Sequence, residues 1–181
     1  MTLSYQRYLA KSNLVKPLKQ GRLDILSAVY SIINAIRLLA FEQNPISDVG
    51  ANMLFQHIMS KLDGMYKLGD LGLFEIGMPE WPQMAKSTLR YAEAKFGLRA
   101  EFKAITNFPS YTENTRKSLE SGAVVLTRLS GQNKRYSVIC AIDDYRCFLF
   151  DSGTRHFIRS ETLFDDTDPP ILFKISVRKV T

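Results

Sequence analysis

The segment Gln20–Leu39, QGRLDILSAVYSIINAIRLL, constrains the chain more than any other. From Ile25 to Phe41 it contains neither Gly nor Pro and is mostly apolar, so it reads as a helix inside a core. Asp24 is its expected N-cap, a carboxylate able to accept backbone N–H groups of the first turn. Ser27, Tyr30, Ser31, Asn34 and Arg37 recur at steps of three and four, which aligns them in one narrow polar stripe. A core helix with a single polar stripe faces either a cleft or a buried hydrogen-bond network. Ser27 falls in the first turn, where free N–H groups and the positive end of the helix dipole stabilise an anion. A nucleophile is well placed there.

Around this helix, 181 residues with 45% hydrophobic content are enough for one domain, 1–181, with a full core. Asp24 and Arg37 interrupt the best candidate for a membrane span, so no membrane insertion is expected. The N-terminus lacks the apolar block of a signal peptide, which points to a cytoplasmic location. Cys140 and Cys147 offer neither a disulfide framework nor metal-ligand spacing. They read as buried thiols that face each other across a hairpin. No glycine-rich phosphate loop is present, and no cofactor or metal is expected. The net charge of +6 has one concentration, residues 1–22, where Arg7, Lys11, Lys16, Lys19 and Arg22 precede the first acid, Asp24. This basic lead-in suits an acidic protein or peptide partner. Without a nucleic-acid module or interleaved stacking aromatics, a nucleic-acid partner is not expected.

The lead-in is expected to be irregular, since Pro17 is excluded from a helix interior. After Asn44-Pro45, Ser47 caps a second helix with Ala51, Leu54, Phe55, Ile58 and Leu62 on one face and Gly64 at its stop. His57 lies at the edge of that face. Glycines 64, 69, 72 and 77, mixed with apolar residues, describe an ordered loop over the core. A third helix runs from about Pro82 to Phe96, anchored by Trp81 and stopped by Gly97. The period then changes to two. Strands are expected at Leu98–Ala104, Ala123–Leu129, Tyr136–Ile142, Arg146–Asp151, His156–Arg159 and Ile171–Val177, with a short helix near Thr112–Ser121 ending at Gly122. Helices first and mostly antiparallel strands second make an α+β domain.

The first helix also resembles the nucleophile helix of the papain-like cysteine peptidases, in particular the bacterial C39-like family, whose pattern is close to QGxxDGLCGxYSxxNAxR. Aligned without gaps, Ser27 falls on the family's catalytic Cys, Gln20 near its oxyanion-hole Gln, and Tyr30-Ser31 and Asn34-Ala35 on the downstream pattern. The resemblance implies a papain-like fold, with N-terminal helices packed on a C-terminal sheet. It also implies a peptide groove beside Ser27 lined by Tyr30, Ser31 and Asn34. The family's Gly-Leu-Cys-Gly reads Ile25-Leu26-Ser27-Ala28 here. Its catalytic His falls at or beside Arg135, and its orienting acid falls on Asp151, ahead of Ser152-Gly153. A papain-like mechanism needs a thiolate, a proton-accepting His and an acid or amide that holds the imidazole. With Ser27 and Arg135 in two of these places, the expected function is binding of a protein or peptide without catalysis. The alternative is a hydrolase that uses Ser27. A basic nucleic-acid-associated protein is the third class, resting on charge alone.

Overall fold

The computed structural model describes residues 15–19, 26–64, 80–106, 111–129, 135–152, 156–164 and 171–177. The sequence expectations for Gln20, Asp24 and the loop beyond Gly64 fall outside these residues. The elements, in chain order, are α1 (Ser27–Ala40), α2 (Asp48–Asp63), α3 (Glu80–Phe96), β1 (Ala100–Ile105), α4 (Tyr111–Glu120), β2 (Val124–Leu129), β3 (Arg135–Ile142), β4 (Arg146–Leu149), β5 (Phe157–Arg159), α5 (Ser160–Leu163) and β6 (Ile171–Val177). The strands form one antiparallel sheet in the order β1-β6-β2-β3-β4-β5. The architecture is α+β.

Local chemistry accounts for most boundaries. The Ser47 hydroxyl accepts the Gly50 N–H at 3.2 Å and starts α2 as an N-cap. Gly97 and Gly122 follow α3 and α4 with φ of 70° and 83°, the left-handed conformation that glycine adopts without steric cost. At the β3–β4 turn, Asp143 Oδ1 accepts the N–H groups of Tyr145 and Arg146 at 2.9 and 2.7 Å. This is the turn chemistry expected of Asp-Asp. α1 differs from expectation. Its cap position is Leu26, with no side-chain cap, because the first helical bond runs from the Tyr30 N–H to the Leu26 carbonyl. The helix therefore begins two residues later than an Asp24 cap would set it.

α1 lies at the centre, packed on β3, β2 and β6 and touching α2 and α3. Strand alternation divides the core in two. Val124, Leu126, Tyr136, Val138, Phe148 and Phe150 face the α1–α3 layer. Val125, Leu129, Ile139, Leu149 and Leu172 face Leu119 of α4 and Leu163 of α5. Both sheet faces are thus covered, which is why β2 and β3 read as nearly continuous apolar runs rather than as an alternation. Trp81 is fully buried between the rings of Tyr136 at 4.3 Å and Phe173 at 5.5 Å, and so ties α3 to the sheet. The two cysteines do not face each other. Cys140 belongs to the α1–α3 side, its thiol on the Phe148 carbonyl at 3.2 Å, and Cys147 to the other side, 3.7 Å from the Ser160 hydroxyl. Odd and even positions of a strand project to opposite faces.

Candidate functional site

Ser27 is the first residue of α1 and is 7% exposed. Its hydroxyl meets the end of the sheet for a topological reason. The Val138 carbonyl accepts the Phe150 N–H at 2.8 Å, so the polar groups of Val138 face the β4 side of β3. Two residues earlier the Tyr136 N–H points the same way, past the place where β4 has ended. The Ser27 Oγ accepts it at 3.2 Å. The contact joins residues 109 apart in sequence.

Arg135 and Ser137, on either side of Tyr136, project from the face that carries α4. There they meet Asp151. The Ser137 hydroxyl donates to Asp151 Oδ1 at 2.9 Å, and Arg135 Nη2 lies 2.7 Å from Asp151 Oδ2. The Arg135 contact is a close ion pair rather than an aligned hydrogen bond, since no N–H of that nitrogen points at an acceptor among the described residues. The Asp151 side chain is 2% exposed and that of Arg135 is 26% exposed. A cation and a hydroxyl thus meet the two oxygens of a deeply buried carboxyl group. Thr127, opposite Ser137 on β2, is fully buried, and its hydroxyl has no hydrogen-bond partner among the described residues.

Three of the residues singled out from the sequence thus lie around one end of β3, Ser27 against the Tyr136 N–H from the α1 side and Arg135 paired with Asp151 on the opposite face. Gln20 lies outside the described residues. Two members, Ser137 and the Tyr136 N–H, were missed. The i, i+2 spacing of Arg135 and Ser137 was the available signal for the first, and no local signal marks the second.

The remaining stripe residues play a different part. The Ser31 hydroxyl donates to the Ala28 carbonyl at 2.8 Å within the helix. Asn34 is fully buried and reads the backbone of Leu18 at both ends, accepting its N–H at 2.8 Å and donating to its carbonyl at 3.3 Å. Arg37 donates to the Lys16 carbonyl at 3.2 Å and to Asp48 at 2.7 Å. Ser31 and Asn34 are thus buried, Ser31 turned onto its own helix and Asn34 against Leu18, rather than lining an open groove. Tyr30 remains part-exposed, its ring 5.9 Å from that of Phe55.

Proton transfer at Ser27 needs a group that can accept a proton, which a guanidinium cannot do. Neither histidine of the chain is hydrogen-bonded to Ser27 among the described residues. His57 Nε2 sits 3.2 Å from Ser87 Oγ, and its ring stacks on Tyr91 at 4.3 Å. Burial, and secondarily Lys61, hold this ring below the ordinary imidazole pKa of 6.5. His156 lies beside β4, where its carbonyl accepts the Leu149 N–H at 2.9 Å. Burial pushes the Cys147 thiol up to about 12, so it is no nucleophile at neutral pH. Among the described residues no group of three His, Cys, Asp or Glu is placed to hold a metal ion. Nor is any helix among them long and apolar enough to cross a membrane.

No protein-family model matches the chain, and no curated protein or solved structure matches it either.

Proposed function

We propose that this chain is a catalytically inactive relative of the papain-like, C39-like cysteine peptidases that works as a protein- or peptide-binding module, with an acidic partner. One observation carries the reading. The positions that the sequence resemblance assigns to nucleophile, base and acid, more than a hundred residues apart at their extremes, lie around the end of β3, with Ser27 on the α1 side and Arg135 paired with Asp151 on the opposite face. Their common place at one strand end supports descent from a catalytic arrangement, and the side chains present, set on opposite faces, support its loss. Asp151 is committed to Arg135 and Ser137, as a structural anion is, rather than to an imidazole. The Ser27 hydroxyl holds the end of a strand.

The test compares the native protein with Ser27→Ala. Both are treated with a fluorophosphonate probe and a panel of fluorogenic peptide and ester substrates. The proposal expects no labelling of Ser27 and no hydrolysis that differs between the two proteins. Hydrolysis or labelling that disappears in a folded Ser27→Ala protein would replace this reading with that of a serine hydrolase.

A further inference from the structure

We infer that the cleft between α4 and the β1–β6 edge of the sheet binds a phosphate group, as the free ion or as a small monoester. The inference goes beyond the peptide-binding reading and does not depend on it.

The site arises where two polar rows meet. Asn114, Lys117, Ser118 and Ser121 recur at steps of three and four along α4 and the turn after it, so they share one stripe. Lys174 is the cross-strand partner of Val125 on β2, and Val125 packs on the α4 side of the sheet. Directly opposed residues project to one face, which turns Lys174 toward α4. The stripe, Lys174 and the end of β1 at Thr106 line one cavity of about 320 Å³.

Charge selects the sign of the occupant. The described lining residues include two lysines, one from each wall, and no carboxylate. Lys174 is half-buried, and its polar contact among the described residues is the Ser121 hydroxyl, at 3.4 Å. Its cross-strand partner on β1 is a second cation, Lys103, whose ammonium is turned to Glu101 at 2.7 Å. Like charges in direct opposition are unfavourable by themselves. An anion in the cavity supplies Lys174 with the counter-charge that the described residues do not. On the other wall Lys117 holds an exposed ion pair with Glu113 at 3.3 Å, an i,i+4 contact of small worth that leaves N–H groups of the ammonium free.

Hydrogen-bonding capacity narrows the class. The Ser118 hydroxyl, in a residue 7% exposed, donates to the Asn114 carbonyl at 2.7 Å, and the Ser121 hydroxyl to the Ser118 carbonyl at 2.6 Å. The Lys117, Ser118 and Leu119 carbonyls accept the N–H groups of Ser121, Ala123 and Gly122 at 3.0–3.1 Å. The carbonyl oxygens at the end of α4 thus each hold a donor already. The donors left to the cavity are the two ammonium groups, the Asn114 amide and the Thr106 hydroxyl, the last two without a hydrogen bond from their side chains among the described residues. Two cations and two neutral donors around a small volume match a compact dianion with oxygens on several sides. A planar carboxylate, with one charge, leaves one ammonium unmatched. The volume admits a phosphate with a few carbon atoms attached.

The test is a titration of the full-length 15N-labelled chain with inorganic phosphate and with glycerol 3-phosphate, at an ionic strength held constant with sodium chloride. Acetate and glycerol are the controls. The expected result is saturable shifts clustered at Thr106, Asn114, Ser118, Ser121 and Lys174. Lys174→Gln weakens binding about tenfold and the exposed Lys117→Gln about threefold, whereas Lys174→Arg, which keeps the cation, retains it. Lys61→Gln removes the same charge from α2 and leaves binding unchanged. Tighter binding of glycerol 3-phosphate names a monoester as the ligand, and equal or tighter binding of inorganic phosphate names the free ion; both support the site. Four results overturn the inference: no saturable response at these amides, an equal response to acetate, undiminished binding in both Lys174→Gln and Lys117→Gln, or the same weakening in Lys61→Gln.

Discussion

Replacing Arg135 with Met removes a cation from the buried Asp151 carboxylate while keeping most of the side-chain volume. Removing one partner of a fully buried ion pair costs about 3–5 kcal/mol, because the charge left behind has lost its compensation. Two features of the structure reduce that figure. Arg135 is 26% exposed, so water reaches the vacated place, and the Ser137 hydroxyl continues to donate to Oδ1. About 2–3 kcal/mol is the resulting expectation for Arg135→Met. With a urea m-value on the order of 2 kcal/mol/M, the unfolding midpoint should fall by roughly 1–1.5 M at unchanged slope. The assay is equilibrium urea unfolding followed by far-UV circular dichroism and tryptophan fluorescence, with Arg135→Met, Asp151→Asn and the double variant completing a cycle. Asn has no charge to strand and still accepts from Ser137. The double variant should therefore be more stable than the sum of the two single losses predicts, by about 1 kcal/mol or more. A loss below about 0.5 kcal/mol for Arg135→Met, or strict additivity in the cycle, would refute the structural role assigned to this pair.

Asn34→Leu removes both hydrogen bonds to the Leu18 backbone, so stability should fall by about 1–3 kcal/mol and trypsin should cut faster after Lys19. Unchanged cleavage would mean that Asn34 does not hold the segment. The neutral His57 ring is favoured in the folded state, its pKa being held below 6.5 by burial and then by Lys61. The unfolded chain therefore takes up the proton first as pH falls through about 6.5, and the stability contributed above that pH declines below it. Thermal unfolding between pH 7 and 5 should show this slope, and His57→Gln should flatten it. Cys147, pushed up to about 12 chiefly by burial, and the buried Cys140 should resist Ellman's reagent in the native protein and react fully in denaturant. Fast labelling of the native chain would contradict the burial of both thiols.

How much of this was legible beforehand divides along a physical line. Ser47, Gly97, Gly122 and Asp143 act on backbone groups within four residues of themselves, and each was placed by its residue type alone. The strand at 171–177 and the period change near Leu98 followed equally from local alternation. α5 was missed, since a single turn has no periodicity to detect. The stripe on α1 was visible, whereas what fills it was not. Asn34 was expected to line a groove and instead binds Leu18, because a polar side chain on a buried helix takes whatever backbone the fold brings past it.

The sequence by itself determined the α+β order and the boundaries of the longer helices and strands to within a few residues. These depend on hydrogen-bond and side-chain periods that repeat along a few turns or pairs. Only the tertiary structure decided that the Ser27 hydroxyl meets the Tyr136 N–H, that Arg135 shares Asp151 with Ser137, and that Lys174 stands across a cavity from α4. Each of these depends on which strand stops first and which elements lie side by side. Those facts belong to the pairing of distant segments, and no local pattern of apolar and polar residues records them.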